Sequence, residues 1–398
     1  APKDAAPPPA RAEEKAAPAA PPKPRAPERL VTLADDEVAL TLSTRGAVVK
    51  AAKMLKYAQR PGALSEENPA LVLDFAAAPA LALEGIAGLG PDADFTLAET
   101  GSNAVVFANA ALTRRLTLKP GYRIEVEETF AKPDAAAANR LSLGALAMGA
   151  SKNDILSIDS WDNGGRKPHV VHHGDDGDSP LKSYLVSISG GCGGRKDATG
   201  LPERSRVDYP GRQDWIAVKN RFFVSALAAC SEPNTGFRAT MTRDLAKTDY
   251  ALKSVAAEAS FAGVPATRTY TLYIGPKKQA LLWDLGMKDV MEFGMWRWLC
   301  YPLVWVLNLF NALIPNYGVA IILLTILVRL LFWPLTHKST VGMRRMQEIQ
   351  PKVKAIQQKF KDNPQRLQQE TWALYRENKV NPLSSCLPML VQIPVFIA

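Results

Sequence analysis

The sequence lacks the features that identify several common protein classes. Only 4 of its 398 residues are cysteine, too few for a disulfide scaffold. It has no GxSxG, HExxH or Walker motif, so nothing predicts a serine hydrolase, a zinc protease or a P-loop nucleotidase. An RNA-recognition motif is also missing, which argues against a nucleic-acid enzyme. These absences leave no sequence support for several enzyme classes, and we expect neither a cofactor nor a metal.

Formal charge is missing from one long segment near the C-terminus. The forty residues between Arg297 and Lys338 contain a single formal charge, on Arg329. A segment with so little charge does not form the surface of an ordinary soluble domain. The basic excess follows it, since residues 337–380 contain ten Lys or Arg and four Asp or Glu. Cytoplasmic loops carry such an excess under the positive-inside rule, so the residues before the segment are predicted to face the outside.

The apolar segment is predicted to form two helices that separate at Pro315. Residues 297–314 carry Trp, Tyr and Asn side chains among apolar ones, which is typical of an amphipathic helix on the outer bilayer surface. Residues 315–336 are predicted to form a transmembrane helix, because about 21 residues at 1.5 Å each span a ~30 Å hydrocarbon core. Pro334 is expected to mark its inner end.

A cytoplasmic helical hairpin is predicted for residues 337–380. Apolar residues recur there at spacings of three and four, which indicates one apolar face on each helix. The sequence Asp362-Asn363-Pro364 marks the turn between the two helices. Pro351 is expected to kink or interrupt the first of them. Residues 381–398 then begin a further transmembrane helix.

The region from residue 30 to residue 275 shows the pattern of an antiparallel β-sandwich. In residues 114–130 apolar and polar residues alternate on both sides of a Pro120-Gly121 turn, which predicts a β-hairpin. Many short runs of this kind over one region favour a large sandwich. The other predicted strands are residues 38–42, 94–98, 104–108, 183–189, 214–218, 221–227 and 267–274.

The chain ends have their own patterns. Residues 1–29 include nine Pro and ten Ala, which predicts a disordered linker with little to bury. The sequence begins with Ala and ends within an apolar run, so we expect the natural protein to extend past both ends. An upstream membrane segment or signal is expected, because the charge pattern requires export of the β region.

Arg329 permits two interpretations. Its side chain could extend along the helix to the inner interface and fix the depth of the helix. Alternatively it faces a water-filled cavity, as arginines inside membranes usually do. Thr325 precedes it by four residues and would share its helix face, and Gln392 supplies an amide in the next span. These three side chains could line a polar groove that opens to the cytoplasm.

Three segments carry a specific resemblance to a known family. The run PNYGVAIILLTILVRLLFWPLTHKS, the hairpin QPKVKAIQQKF…DNPQRLQQETWALYRENKVNPL and the segment SSCLPMLVQIPVFIA closely resemble the YidC/Oxa family of membrane protein insertases. This resemblance covers residues 270–398. The upstream region resembles the periplasmic domain of the Gram-negative type of the family, a β-supersandwich. The chain departs from the family by truncation, because the family's first membrane segment would precede it and its later spans would follow it.

The resemblance implies a location and a set of partners. It implies a multi-pass protein of the bacterial inner membrane with the β domain in the periplasm. The implied partners are nascent membrane proteins, the ribosome, the signal recognition particle or its receptor, and the Sec translocon. The implied domains are a linker (1–29), a periplasmic β-sandwich (30–275), a connecting helical segment (276–296), an interfacial helix (297–314), a transmembrane helix (315–336), a cytoplasmic hairpin (337–380) and the start of the next transmembrane helix (381–398).

The resemblance also implies roles for particular residues. Arg329 would be the arginine of the insertase groove, with Thr325 and Gln392 as further polar groove residues. The hairpin would form a contact surface for incoming substrates. A basic loop beside a membrane also attracts anionic lipids, and this simpler interpretation is compatible with the first. The basic residues of the predicted contact surface are Arg344, Arg345, Lys352, Lys354, Lys359 and Lys361.

Two motifs of the β region are open to more than one interpretation. HVVHHGDDGD at residues 169–178 could hold a metal, but its glycines favour a solvated loop, and we predict no metal site there. Cys192 and Cys230 both lie in the part predicted to be exported, so they could form a single disulfide. The alternative function is a membrane-anchored periplasmic carbohydrate-binding protein or sugar isomerase. Its helices would be an anchor only, which explains neither Arg329 nor the long hairpin.

Overall fold

The computed structural model describes residues 27–60, 62–147, 157–161, 171–172, 204–243, 252–287, 290–291, 297–361, 363–378 and 393. The chain divides into two compact units, residues 1–290 and residues 291–398. The predicted strand at residues 183–189 and most of the linker lie outside the described residues.

The described part of the first unit consists of eighteen strands and one short helix. The strands are Leu30–Ala34 (β1), Val38–Ser43 (β2), Val48–Ala58 (β3), Ala70–Asp74 (β4), Ala80–Glu84 (β5), Thr96–Thr100 (β6), Ala104–Ala108 (β7), Leu112–Lys119 (β8), Arg123–Phe130 (β9), Asn139–Ala147 (β10), Ser157–Trp161 (β11), Val171–His172 (β12), Arg204–Pro210 (β13), Trp215–Lys219 (β14), Phe223–Ala228 (β15), Gly236–Arg243 (β16), Leu252–Phe261 (β17) and Thr267–Pro276 (β18). The helix α1 spans Gln279–Asp284.

These strands form two antiparallel sheets of nine strands each. The first sheet has the order β1-β2-β3-β5-β10-β17-β16-β13, and β4 pairs with β3 beside it. The second has the order β12-β11-β14-β15-β18-β9-β8-β7-β6. The sheets meet where β10 and β17 contact β14, β15 and β11. The predicted all-β fold with two packed antiparallel sheets is therefore confirmed.

The predicted hairpin shows how the sequence produces this fold. Strands β8 and β9 pair through the register Leu116 with Val126 and Leu118 with Ile124, and all four side chains are buried. The polar residues between them point to the opposite face, as the two-residue period of a strand requires. Gly121 has a φ of 80° in the turn, a conformation that glycine adopts without a steric penalty.

Three of the charged residues buried in the described part of the β unit form one cluster, which the sequence patterns did not predict. Arg114, Glu128 and Arg268 are 0% exposed, and they occupy one row across β8, β9 and β18. Each oxygen of the Glu128 carboxylate accepts two hydrogen bonds from one guanidinium, at 2.6 and 2.9 Å from Arg114 and 2.6 and 2.8 Å from Arg268. We call these three residues the buried triad.

The buried triad also connects the two sheets. The Arg114 guanidinium donates to the Ala47 carbonyl at 2.7 Å, and that of Arg268 donates to Asn139 Oδ1 at 3.0 Å. Ala47 directly precedes β3 and Asn139 begins β10, and both of these strands belong to the first sheet. Burial alone would raise the pKa of Glu128, but Arg268 and Arg114 together hold it below its ordinary value. The triad is thus a satisfied ionic network at the centre of the domain.

The second unit contains three helices. They are Arg297–Leu313 (α2), Tyr317–Lys359 (α3) and Pro364–Glu377 (α4). The break between α2 and α3 lies where it was predicted, at Pro315. Asn316 caps α3, since its side chain accepts hydrogen bonds from Gly318 N at 2.9 Å and Val319 N at 3.4 Å.

Helix α3 differs from the expectation in its length. It runs through both Pro334 and Pro351 as one helix of 43 residues, so Pro351 does not interrupt it, and the alternative, a kink at Pro351, stays a prediction. A proline removes one hydrogen bond from a helix, and a long helix tolerates that local loss where the residues on both sides stay helical. The predicted end of the transmembrane segment at Thr336 does not coincide with the end of a helix. It therefore remains a prediction.

The predicted helical hairpin is formed by the second half of α3 and by α4. On α3 the less exposed residues are Met346, Ile349, Val353, Ile356 and Phe360, and on α4 they are Leu367, Thr371, Leu374, Tyr375 and Asn378. The spacings of three and four place each set on one helix face. Met343, predicted to belong to the first face, is 45% exposed. Asn363 caps α4 by accepting a hydrogen bond from Arg366 N at 3.1 Å.

Candidate functional site

Arg329 and Thr325 lie on helix α3, one turn apart. Both side chains are exposed, and their spacing of four places them on the same face of the helix. The Thr325 hydroxyl donates to the Ile321 carbonyl at 2.8 Å. Arg329 has no ion-pair partner among the residues that the structure describes. Gln392, the third predicted groove residue, lies outside the described residues.

Arg329 is surrounded by exposed apolar side chains. Leu330 and Leu331 are 64% and 71% exposed, and within the described residues α3 is the one helix long and apolar enough to cross a membrane. An apolar surface of this size does not stay in water. Arg329 therefore lies on an exposed apolar helix surface of the kind that lipid covers.

Helix α2 packs against α3 and has a strongly apolar outer face. Trp298, Trp305 and Leu313 are exposed and lie at spacings of seven and eight, on one side of the helix. Cys300 and Ala320 are buried, and small residues such as these let two helices approach closely. A row of exposed tryptophans on an apolar helix is typical of the bilayer interface.

The basic residues of the predicted contact surface extend along the second half of α3. Arg344, Arg345, Lys352, Lys354 and Lys359 are all exposed on this helix. Lys361 follows in the turn before α4 and is exposed as well. These six cations are therefore available to an acidic or phosphate-bearing partner.

The remaining predicted site residues belong to the first unit. Cys230 has no disulfide partner among the described residues, and Cys192 lies outside them, so their disulfide remains a prediction. Burial raises the pKa of the Cys230 thiol, which makes it less reactive. Of the motif at residues 169–178 the structure describes Val171 and His172, which form β12. The described residues contain no group of three or more metal-binding side chains.

Two family models match the chain. Residues 195–306 match the YidC periplasmic domain, and residues 309–398 match the family described as 60Kd inner membrane protein. The membrane protein insertase YidC of Prosthecochloris aestuarii is 30% identical over 393 residues, which cover 93% of this chain and 64% of that protein. The YidC of Syntrophus aciditrophicus is 47% identical over 131 residues, which cover 32% of this chain and 24% of that protein.

A solved structure is also similar to the chain. A crystal structure of an active YidC insertase, with its first transmembrane domain resolved, aligns with a TM-score of 0.28 and 18% identity. The alignment covers 93% of this chain and 72% of that one. The chain spans about 64% of the length of the relatives that it matches over most of its own length.

Proposed function

Because the chain belongs to the YidC/Oxa family of membrane protein insertases, we propose that it inserts nascent membrane proteins into the inner membrane and assists their folding. The proposed site is a polar groove that opens to the cytoplasm and is lined by Arg329, Thr325 and Gln392. The groove binds the polar part of an incoming segment, while the apolar part moves along the helix surface into lipid. No covalent step is involved.

The observation that carries this proposal is the position of Arg329. It is the single formal charge among residues 298–337, and it lies exposed on an apolar helix. A charge at the centre of a membrane helix costs ~3 kcal/mol even on the most favourable insertion scales. One further cation adds little to membrane orientation where ten Lys or Arg already follow. The presence of a charge at this costly position is explained if Arg329 interacts with the segment that is being inserted.

The physical barrier to insertion is the transfer of polar groups through a medium of low dielectric constant. A groove entered from the cytoplasm shortens the dry part of that path. At an effective dielectric constant near 20, an acidic group 4 Å from Arg329 gains about 4 kcal/mol before its desolvation is subtracted. The groove must remain hydrated, because a sealed ion pair would hold the cargo too tightly to release it. The membrane potential assists the outward movement of negative tails.

The cytoplasmic hairpin is proposed to receive the cargo. Its exposed cations, from Arg344 to Lys361, suit the phosphates of a ribosome and the headgroups of anionic lipids. The signal recognition particle or its receptor and the Sec translocon are further proposed partners. Reconstitution with purified ribosomes, in vesicles with and without anionic lipid, distinguishes ribosome binding from binding to anionic headgroups.

The test is insertion of a small single-span substrate with an acidic outer tail into vesicles that contain the full-length protein. Arg329→Ala is expected to reduce the rate of insertion at least about tenfold. This corresponds to an insertion barrier that is higher by about 1.4 kcal/mol or more. Leu330→Ala is the control, since it removes an exposed side chain from the next position without changing the charge, and it should retain activity. Full activity of Arg329→Ala would contradict the electrostatic role of this residue.

A further inference from the structure

Strand β17 presents polar side chains on the outer face of the first sheet. It packs on β14, and its Ala257 and Ala259 are fully buried. Glu258 lies between them in the sequence and therefore points to the opposite, outer face. The register places Ser142 of β10 on one side of Glu258 and Arg238 of β16 on the other. The outer face of the sheet thus combines carboxyl, guanidinium and hydroxyl groups.

A cavity of about 200 Å³ lies on this face and extends over five strands, β5, β10, β17, β16 and β13. Ala82, Ala145 and Ala256 are among its lining residues, and their small side chains occupy little of the space. At ~30 Å³ for each water molecule, the volume corresponds to roughly seven waters. It therefore suits one small molecule and is too small for an extended polypeptide segment. We call it the outer-face cavity.

Five charged side chains line the outer-face cavity, and they are Arg140, Arg204, Arg206, Glu84 and Glu258. Arg140 lies opposite Glu84 in the strand register. Even so, none of the five forms an ion pair with another residue that the structure describes. Arg238 on the same face pairs instead with Asp208, at 2.7 and 2.9 Å. The donors and acceptors of the five lining residues therefore stay available to a ligand.

Three buried polar atoms of the lining residues have no hydrogen-bond partner within the described part of the chain. They are Arg140 Nε, Thr240 Oγ1 and Glu258 Oε2. Thr240 is only 7% exposed, so bulk water does not compensate for the missing partner of its hydroxyl group. A buried polar atom without a partner costs free energy, and native proteins usually supply one. A polar ligand in the outer-face cavity would supply these partners.

The lining groups define the chemistry of the ligand. Three guanidinium groups donate hydrogen bonds in pairs and suit an anion. The two glutamates in the same cavity disfavour a doubly charged phosphate, so a carboxylate fits the charge better. Burial and the neighbouring Glu84 raise the pKa of Glu258, which favours the protonated form that donates as well as accepts. Glu258 and Thr240 together suit the hydroxyl groups of a ligand, which also do both.

We propose that the outer-face cavity binds a small carboxylate that carries several hydroxyl groups, of the sugar-acid class. Arg140, Arg204 and Arg206 bind its carboxylate, while Thr240 and Glu258 bind its hydroxyl groups. The cavity lies within the β unit, so this inference does not rest on the insertase function or on the groove. It gives the β unit a small-molecule site of its own.

The test is isothermal titration calorimetry of D-glucuronate with the full chain in nanodiscs of zwitterionic lipid. Glucuronate is expected to bind at least about tenfold more tightly than D-glucose, which has a neutral CH₂OH group in place of the carboxylate. Acetate should also bind at least about tenfold more weakly, because it has the charge without the hydroxyl groups. No measurable binding of glucuronate, or equal binding of glucuronate and either control compound, would overturn the proposal.

Matched variants locate the binding. Arg206→Gln removes one guanidinium group and Thr240→Val removes the buried hydroxyl at nearly constant volume, so each should weaken glucuronate binding about tenfold. Arg115→Gln and Thr113→Val make the same substitutions at exposed positions of β8, outside the cavity, and should change nothing. Arg206 is exposed, so its variant keeps the test valid even if Thr240→Val unfolds. Unchanged binding in Arg206→Gln, or an equal loss in the β8 variants, would overturn the proposal.

Discussion

The two units use arginine in opposite ways. In the β unit, Arg114 and Arg268 are fully buried. Glu128 lies between them and accepts hydrogen bonds from both guanidinium groups. In the helical unit, Arg329 is exposed on an apolar helix and has no ion-pair partner in the described part of the chain. A buried arginine with all its partners in place has no remaining capacity for a ligand. An arginine without an ion-pair partner keeps that capacity, and this distinguishes Arg329 from Arg114 and Arg268.

The surroundings of the two kinds of arginine also differ. The Arg268 guanidinium lies 4.5 Å from the centre of the Phe261 ring and 5.2 Å from that of Phe130, so aromatic side chains hold it as well. Arg329 instead has the exposed Leu330 and Leu331 beside it on the helix. The β unit therefore fixes these two arginines in a single geometry, whereas α3 presents its arginine on an exposed apolar surface.

Removal of the Glu128 carboxylate from the buried triad is expected to have the largest effect on stability. Glu128→Ala leaves two guanidinium groups buried without a counter-charge, which typically costs about 3–5 kcal/mol. The loss should appear as a lower urea midpoint for proteolysis of the β unit in the full-length protein. Glu125→Ala on the exposed face of the same strand is the control and should have little effect. Equal midpoints for both variants would mean that the buried triad does not stabilise the fold.

The same substitution at both arginines sharpens the comparison further. Arg268→Lys removes the planar fork that holds Glu128 and Asn139, with an expected stability loss on the order of 2 kcal/mol. Arg329→Lys keeps the charge, so it should retain part of the insertion activity and leave stability unchanged. Urea unfolding and vesicle insertion are measured on both variants. The comparison would be broken if Arg268→Lys were as stable as the unaltered protein, or if Arg329→Lys were as inactive as Arg329→Ala.

A smaller effect is expected from pH, because protonation leaves the Glu128 side chain in place. Its pKa is lower in the folded protein than its ordinary value of 4.5. The stabilisation by Glu128 is therefore fully present above pH 4.5 and is lost as the pH falls through the lower, folded pKa. The free energy of unfolding relative to Glu128→Gln should be constant from pH 7 to pH 5 and shrink below that. A constant difference down to pH 3 would contradict a shifted Glu128.

The buried triad marks the limit of prediction from this sequence. The alternation that places Leu116 inside also places Arg114 inside, and the alternation of the next strand does the same for Glu128, so the sequence contained a signal for two buried charges. The partner of Glu128 on β18 is 140 residues away along the chain. A local pattern does not specify that pairing, because it depends on how the second sheet is assembled.

The helical unit was more accessible from the sequence. The spacing of four residues predicted that Thr325 and Arg329 share a face, and α3 places them so. The interruption expected as one outcome at Pro351 was wrong, because α3 continues through this residue, whereas the kink expected as the other outcome stays a prediction. The continuity of the helix comes from the many helical residues on both sides, which no single position reveals. The groove depends on Gln392 and on further spans, and it remains a proposal.

The continuity of α3 has a mechanical consequence. A helix of 43 residues is about 65 Å long, roughly twice the thickness of a ~30 Å hydrocarbon core. If its first half spans the bilayer, its second half projects into the water and carries the cationic surface away from the membrane. A force on this projecting half would reach the segment around Arg329 through unbroken helix, and Pro334 between them is the position at which the helix bends most easily. An event far from the bilayer would then be felt at Arg329 without any contact at the membrane itself.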